Sequence, residues 1–263
     1  MVGTEVSMAL AWHIMMRLRE DAVIAPSVQS RQTVSRIFLR KGRDFGLVAF
    51  CAADTHLHSM CIANRADAGE FARRVEITLQ YHLDLHSGFA EAHLRPVRDQ
   101  QHLRNAFHYI LGQQSHHGLT ADPFHESSSL PDLVGLRFGY SYLTDRVRDR
   151  LPRQHASLLL ERYGISIPSN ADIRLEDLSP AVEAATLSPL HANPRTSIWK
   201  AATAQAAGNR FSRAEMCHVL QLSPRQVSRL RYKPVPIGLV TALKNQLALR
   251  AAIRESAPLH RAA

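Results

Sequence analysis

The stretch GLVAFCAADTHLHSMCI, residues 46–62, decides how this chain folds. Gly46 to Ala53 is a small, apolar run of strand length, Asp54-Thr55 is turn chemistry, and His56 to Ile62 reads as the returning strand of a hairpin. Upstream, Met8 to Met16 is apolar with few breaks and predicts a buried strand. Ser27 to Lys41 follows, with Val34, Ile37 and Phe38 at helical spacing. Downstream, Asp67 to Leu83 sets Phe71, Val75, Leu79 and Leu83 four residues apart, the pattern of an amphipathic helix. Ala92 to Val97 reads as a short strand, placed at a sheet edge or strand end by Pro96. Gln100 to His116 is helical again, and Gly118 stands where a helix stop would.

The order is strand, helix, strand, strand, helix, strand, helix. It predicts an α+β domain: a ferredoxin-like split βαβ antiparallel sheet with helices on one face. The expected divisions are residues 1–125 for this domain, 126–196 for a partly helical connector, and 197–263 for an all-α end. HESSSLPDLVG opens the connector, and Pro168 to Pro194 reads as loop around one short helix. Ala201 to Ala207 is an alanine-rich helix with Gly208 as its stop, and Ala257 to Ala263 reads as a frayed end.

The charge is unevenly placed. The whole chain carries +9, but residues 195–263 hold 12 Lys/Arg against Glu215 and Glu255, so the tail is +10 and the rest −1. Inside the tail, Ser212-Arg213-Ala214-Glu215 is a capping box, and Ser223-Pro224-Arg225-Gln226 is a second N-cap with proline at the first helical position. Val227 and Leu230 can pack inward, which leaves Arg225, Gln226, Ser228 and Arg229 outward, with Arg231 and Lys233 just beyond. Two short helices joined by a tight turn describe a helix-turn-helix, and the coincident charge points to duplex DNA rather than to a merely solvated basic face.

Three cysteines, Cys51, Cys61 and Cys217, do not make a disulfide framework and fit a reducing cytosol. The first twenty residues lack a basic leader and a small-residue cleavage site, and no apolar stretch is long enough for a bilayer, so neither a signal peptide nor a membrane partner is expected.

His56-Leu57-His58 lies on the second strand of the hairpin, so both imidazoles face one side and can converge on one ion. Among 15 histidines such a pair also arises by chance. On the last helix of the domain, His102, Asn105, Tyr109, Gln113 and His116 fall within a sector of roughly 80°, beside an apolar stripe of Leu103, Phe107 and Ile110. Taken alone, that stripe is better read as an ordinary solvated helix side. A chemical link is available. A phenol with a pKa of roughly 10 is a poor nucleophile until activated. Two imidazoles and a carboxamide oxygen bind Mg²⁺ or Mn²⁺ without cancelling its charge. Structural zinc on Cys51, His56, His58 and Cys61 is disfavoured because Cys61 falls on the opposite strand face. A metal hydrolase would need a carboxylate beside the histidines, and Asp54 is the close candidate. The chain has no Gly-x-Ser-x-Gly elbow, P-loop or GxGxxG.

His56-Leu57-His58 followed by Tyr109-Ile110-Leu111-Gly112-Gln113 resembles the single-tyrosine HUH transposases, and more closely the REP-associated tyrosine transposases. The likeness runs over roughly residues 8–136 and takes in Trp12-His13-Ile14, Leu94-Arg95-Pro96-Val97, His117-Gly118-Leu119 and Ser128 to Gly135. It departs from the family at Thr55, where asparagine is usual, and over Gln113 to Gly118. The resemblance implies a strand transferase for single-stranded or hairpin DNA. Tyr109 would be the nucleophile forming a 5′-phosphotyrosine, and His56, His58 and Gln113 the ligands of Mg²⁺ or Mn²⁺. Arg95, Arg98 and Arg104 would supply cations near the tyrosine helix. The tail resembles the helix-turn-helix of bacterial replication initiators. A bacterial, nucleoid-associated cytoplasmic protein, compatible with a homodimer, follows from the same likeness. The alternative is a non-catalytic, sequence-specific DNA-binding protein of the same descent.

Overall fold

The computed structural model describes residues 9–116, 124–164, 172–191 and 196–256. Met8, His117-Gly118-Leu119, parts of the 168–194 loop and Ala257 to Ala263 lie outside the described residues.

The hairpin forms as β2, Leu47–Ala53, and β3, His56–Cys61. Asp54 takes the left-handed conformation at its turn (φ 55°), which a short polar side chain tolerates. Gly46 opens the hairpin at φ 67°, where a Cβ would collide with the carbonyl of Ile62. The flanking elements are β1, Ala11–Arg17; α1, Val28–Gly42; α2, Arg65–Leu83; β4, His93–Val97; and α3, Gln100–Leu111. Side chains close the helix starts. Ser27 and Ser30 form a capping box on α1, Asn64 accepts from the Asp67 amide on α2, and Asp99 accepts from the His102 amide on α3. The sheet order is β2-β3-β1-β4, every pairing antiparallel, with β4 and its Pro96 at an edge. This is the split βαβ sheet expected of the sequence, followed by a helical region.

Register assigns the faces. Met15 pairs with His58 and with His93, His13 with Met60 and Arg95, and Cys51 with His58, so His13, His58, His93, Arg95 and Cys51 share one face. Ile14 and Phe50 belong to the other face, where Phe38 of α1 stacks on Phe50 and meets Phe71 of α2 edge-on. The helices α1 and α2 do lie together on one face. The difference is α3, which lies across the opposite, histidine-bearing face through Leu103, Phe107 and Ile110. The helix expected to run from Gln100 to His116 breaks at Gly112 and resumes as a short α4, Gln113–His116.

The chain divides into two compact units, Met1–Leu133 with Ser141–His155, and Val134–Tyr140 with Ala156–Ala263. The boundaries expected at residues 125 and 196 fall inside these units. Hydrogen bonding accounts for this. In the first unit the Ser127 carbonyl receives the Ala52 amide (2.8 Å) and the Ser129 amide reaches the Phe50 carbonyl (2.9 Å), so this segment extends the free edge of β2. After α5, Leu130–Leu133, the helix α6, Ser141–Arg150, is tied back by Tyr142 Oη to the Leu39 carbonyl (2.7 Å) and by Arg146 to Gly42 (3.0 Å).

The second unit comprises α7, Ala156–Arg162; α8, Leu178–Thr186; α9, Thr196–Ala207; α10, Arg213–Leu220; α11, Pro224–Leu230; and α12, Ile237–Ser256. Its core joins Leu178 and Val182, Trp199 and Ala202, Met216 and Leu220, Val227, and Leu239, Leu243 and Leu247. Gln246 is buried and donates to the Leu136 carbonyl at 2.9 Å, which draws residues 134–140 into this unit. Among the described residues no helix is long and apolar enough to cross a membrane.

Candidate functional site

Tyr109 leaves α3 toward the histidine face and is 41% exposed. Its ring centre stands 5.6 Å from that of His58 and 5.8 Å from that of His13, edge-on to both, and 4.9 Å from that of His116. His13 Nε2 is 3.1 Å from His58 Nδ1, joining β1 to β3 across the sheet. Burial, reinforced by the nearby Arg95, His102 and His93, lowers the His13 pKa from 6.5 to about 4, so its ring is neutral at neutral pH. Tyr109, His13 and His58 border a cavity of about 400 Å³, with His93 and Arg95 on β4 and His102 and Asn105 on α3 completing the polar wall.

His56 and His58 face the same way, with ring centres 6.2 Å apart and nearly parallel planes. Two imidazoles sharing one ion stand at most about 6.5 Å apart, given metal–nitrogen distances near 2.1 Å plus the ring radii. The Nδ1 of His56 is engaged by Thr55 Oγ1 at 2.8 Å, and that of His58 by His13. Nδ1 partners of this kind orient imidazoles that bind an ion through Nε2. Gln113 is 1% exposed, and its Nε2 donates to the Tyr109 carbonyl at 3.1 Å, leaving Oε1 as its candidate ligand atom. Among the described residues neither His56 nor Gln113 borders the tyrosine cavity, and no group of three or more His, Cys, Asp or Glu side chains stands close enough to hold a metal. A carboxamide falls outside such a group, so the donor set of two imidazoles and one amide oxygen remains chemically fit for Mg²⁺ or Mn²⁺.

Cys51 is buried on the histidine face opposite His58, and burial pushes its thiol up to about 12. Cys61 is buried on the other face, and burial raises its thiol too. Both behave as small apolar core residues.

The three arginines assigned to DNA separate. Arg95 borders the tyrosine cavity. Arg104 borders a different cavity, of about 410 Å³, with Gln100, Gln101, Leu151, Pro152, Arg153 and Gln154. Among the described residues Arg98 borders neither. His13 is the residue that sequence reasoning noted only as part of a strand. The signal available was a histidine alternating against Trp12, Ile14 and Met16 in a strand otherwise fit for a sheet centre.

In the helical unit both expected capping boxes form, Ser212 with Glu215 and Ser223 with Gln226. Capping occupies Gln226, whose Oε1 receives the Ser223 amide at 2.9 Å. Ser228 Oγ donates to the Pro224 carbonyl (3.0 Å), and Arg231 to Asn209 Oδ1 (2.8 Å). Lys233 is half-buried and its carbonyl accepts from Gln205 (2.7 Å). Arg225 and Arg229, one turn apart on α11, are exposed and make no side-chain bond among the described residues. A cavity of about 390 Å³ in this unit is bordered by Arg213, Ser228, Arg231 and Tyr232, the last 88% exposed.

No family model and no curated protein matches this chain. Among solved structures, that of a REP-associated tyrosine transposase bound to a REP hairpin is similar over 42% of this chain and 70% of that chain, at 16% identity and a TM-score of 0.36. The likeness is distant, and the chemistry of the site rests on its own residues.

Proposed function

We propose that this protein cleaves and rejoins single-stranded DNA, hairpin-containing strands included, through a covalent phosphotyrosine, and that its helical unit binds duplex DNA. The observation that carries the reading is the meeting of Tyr109 with His58 and His13 on one face of the sheet.

In this reading the Tyr109 oxygen attacks a phosphodiester phosphorus. The bond from phosphorus to the 3′-oxygen breaks, the 5′-phosphate stays on the tyrosine, and the departing 3′-oxygen gains the proton the phenol loses. Rejoining reverses the same exchange, so no oxidant or nucleotide is consumed. His56, His58 and Gln113 would hold a divalent ion, whose chemistry is to polarise the phosphate and ease departure of the 3′-oxygen. With the ion at Nε2, His58 would donate its Nδ1 proton to neutral His13, and His56 its own to Thr55, which would fix both tautomers. Arg95 supplies positive charge at the cavity wall for the phosphate. Arg225 and Arg229 supply phosphate or base contacts from α11.

The test is to incubate 3′-labelled single-stranded hairpin oligonucleotides with Mn²⁺ and either wild type or Tyr109→Phe, then to run denaturing gels. A labelled protein band in wild type alone, abolished by EDTA, supports strand transfer. No band from strands shown to bind favours the second reading, a non-catalytic DNA-binding protein. The slight negative charge of residues 1–194 is the observation on its side.

A further inference from the structure

The second cavity, bordered by Gln101, Arg104, Leu151, Pro152, Arg153 and Gln154, lies on the flank of α3 away from Tyr109. Its walls combine two guanidinium groups, carboxamides and an apolar Leu-Pro corner, and no carboxylate borders it among the described residues. Gln154 is 8% exposed, and its Oε1 is buried without a hydrogen-bond partner. A buried amide oxygen left unpaired costs stability, and turning the carboxamide toward the cavity would bring that oxygen within a ligand's reach. A half-turn of the carboxamide exchanges its oxygen and nitrogen at the cavity wall. Adjacent donor and acceptor atoms of that kind match the edge of a nucleobase. The volume accommodates one nucleotide, the guanidinium groups suit its phosphate, and Leu151 and Pro152 give its ring an apolar surface.

A run of hydrogen-bonded side chains links the borders of the two cavities. Arg104 Nη2 donates to Gln101 Oε1 (2.8 Å), and Gln101 Nε2 donates to Asn105 Oδ1 (2.8 Å), which itself borders the tyrosine cavity. This hydrogen-bonded ridge crosses the exposed side of α3, a helix roughly 10–12 Å wide.

We infer that the second cavity receives one unpaired nucleobase of the single strand whose phosphate lies at Tyr109, with Gln154 pairing to the base edge and Arg104 and Arg153 holding the flanking phosphates. The base is held a few nucleotides from the scissile phosphate, so the strand is gripped on both flanks of α3. This rests on the single-strand reading of the tyrosine site but concerns binding alone.

The experiment is a binding cycle on the full chain by fluorescence anisotropy. The probes are labelled dT12 and a strand of twelve abasic sugar phosphates, each with wild type and with Gln154→Leu. The expected result is that Gln154→Leu weakens dT12 about fivefold or more while changing the abasic strand less than twofold. Equal effects on both strands would overturn the inference. Arg153→Ala, at an exposed position, gives a second readout: the salt slope for dT12 should fall by about one. An unchanged slope would also count against the inference, even were Gln154→Leu unable to fold. Displacement of dT12 by thymidine monophosphate at the same base concentration would mean the cavity takes free nucleotides and would overturn the strand assignment. Base-dependent coupling without a covalent adduct fails the catalytic reading alone, whereas an adduct without coupling fails this inference alone.

Discussion

His13 Nε2 stands 3.1 Å from Nδ1 of His58, and the two rings flank Tyr109 from adjacent strands. The contact engages Nδ1 of His58. It arises from the antiparallel register of β1 on β3, which sets Met15 opposite His58 and His13 two residues along the same face.

If that contact orients a ligand, its loss should weaken metal response without removing a ligand. His13→Leu is expected to lower adduct formation about 10- to 100-fold and to shift the Mn²⁺ midpoint upward by a similar factor. His13→Gln, which keeps an acceptor, should recover part of both. Equal loss in the two variants would show that the ring fills space rather than accepting a proton.

Arg225 and Arg229 define a separate test of the helical unit. Replacing both with alanine should weaken duplex binding and lower its salt slope by about two, one per phosphate contact removed. Cleavage of a short, saturating single strand should persist. Parallel loss of both activities would contradict a division of labour between the units.

Glu76 on α2 supplies a stability prediction. Burial raises its carboxyl from 4.5 to about 7, and its Oε1 is buried without a partner. Because the folded state holds this proton more tightly than the unfolded chain, its contribution is fully present below about pH 4.5 and is lost as pH rises through about 7. Glu76→Gln should therefore be more stable than wild type by about 1–2 kcal/mol at pH 8, discounted for partial exposure, and nearly equal to it at pH 4.5. Denaturant unfolding at the two pH values reads this difference, and a gap that does not widen with pH would contradict it.

The parts of this fold legible in sequence are those with short-range causes. The hairpin followed from an apolar run, a turn pair and alternation, α1 from the helical spacing of Val34, Ile37 and Phe38, and α10 and α11 from their capping residues. The 20-residue α12 escaped because exposed apolar residues, Ile237 among them, blur the face on which Leu239, Val240, Ala242, Leu243 and Leu247 are buried. The helix α6 reads as a charged segment because polar groups, Tyr142 and Arg146, anchor it to distant carbonyls. In the candidate site, the alignment of His56 with His58 needed only strand parity. The approach of His13 depended on which strands pair, and the grouping of Arg104 with Gln154 on contacts 50 residues apart, neither of which local spacing encodes.

The covalent bond at Tyr109 can be read directly. Wild type incubated with a bound single strand and Mn²⁺ is digested with nuclease and trypsin and analysed by mass spectrometry. Strand transfer through Tyr109 predicts a phosphodeoxynucleotide on the peptide beginning at Asn105, with the fragment series placing it on Tyr109. An unmodified peptide beside cleaved DNA, or the added mass on any other residue, would contradict it.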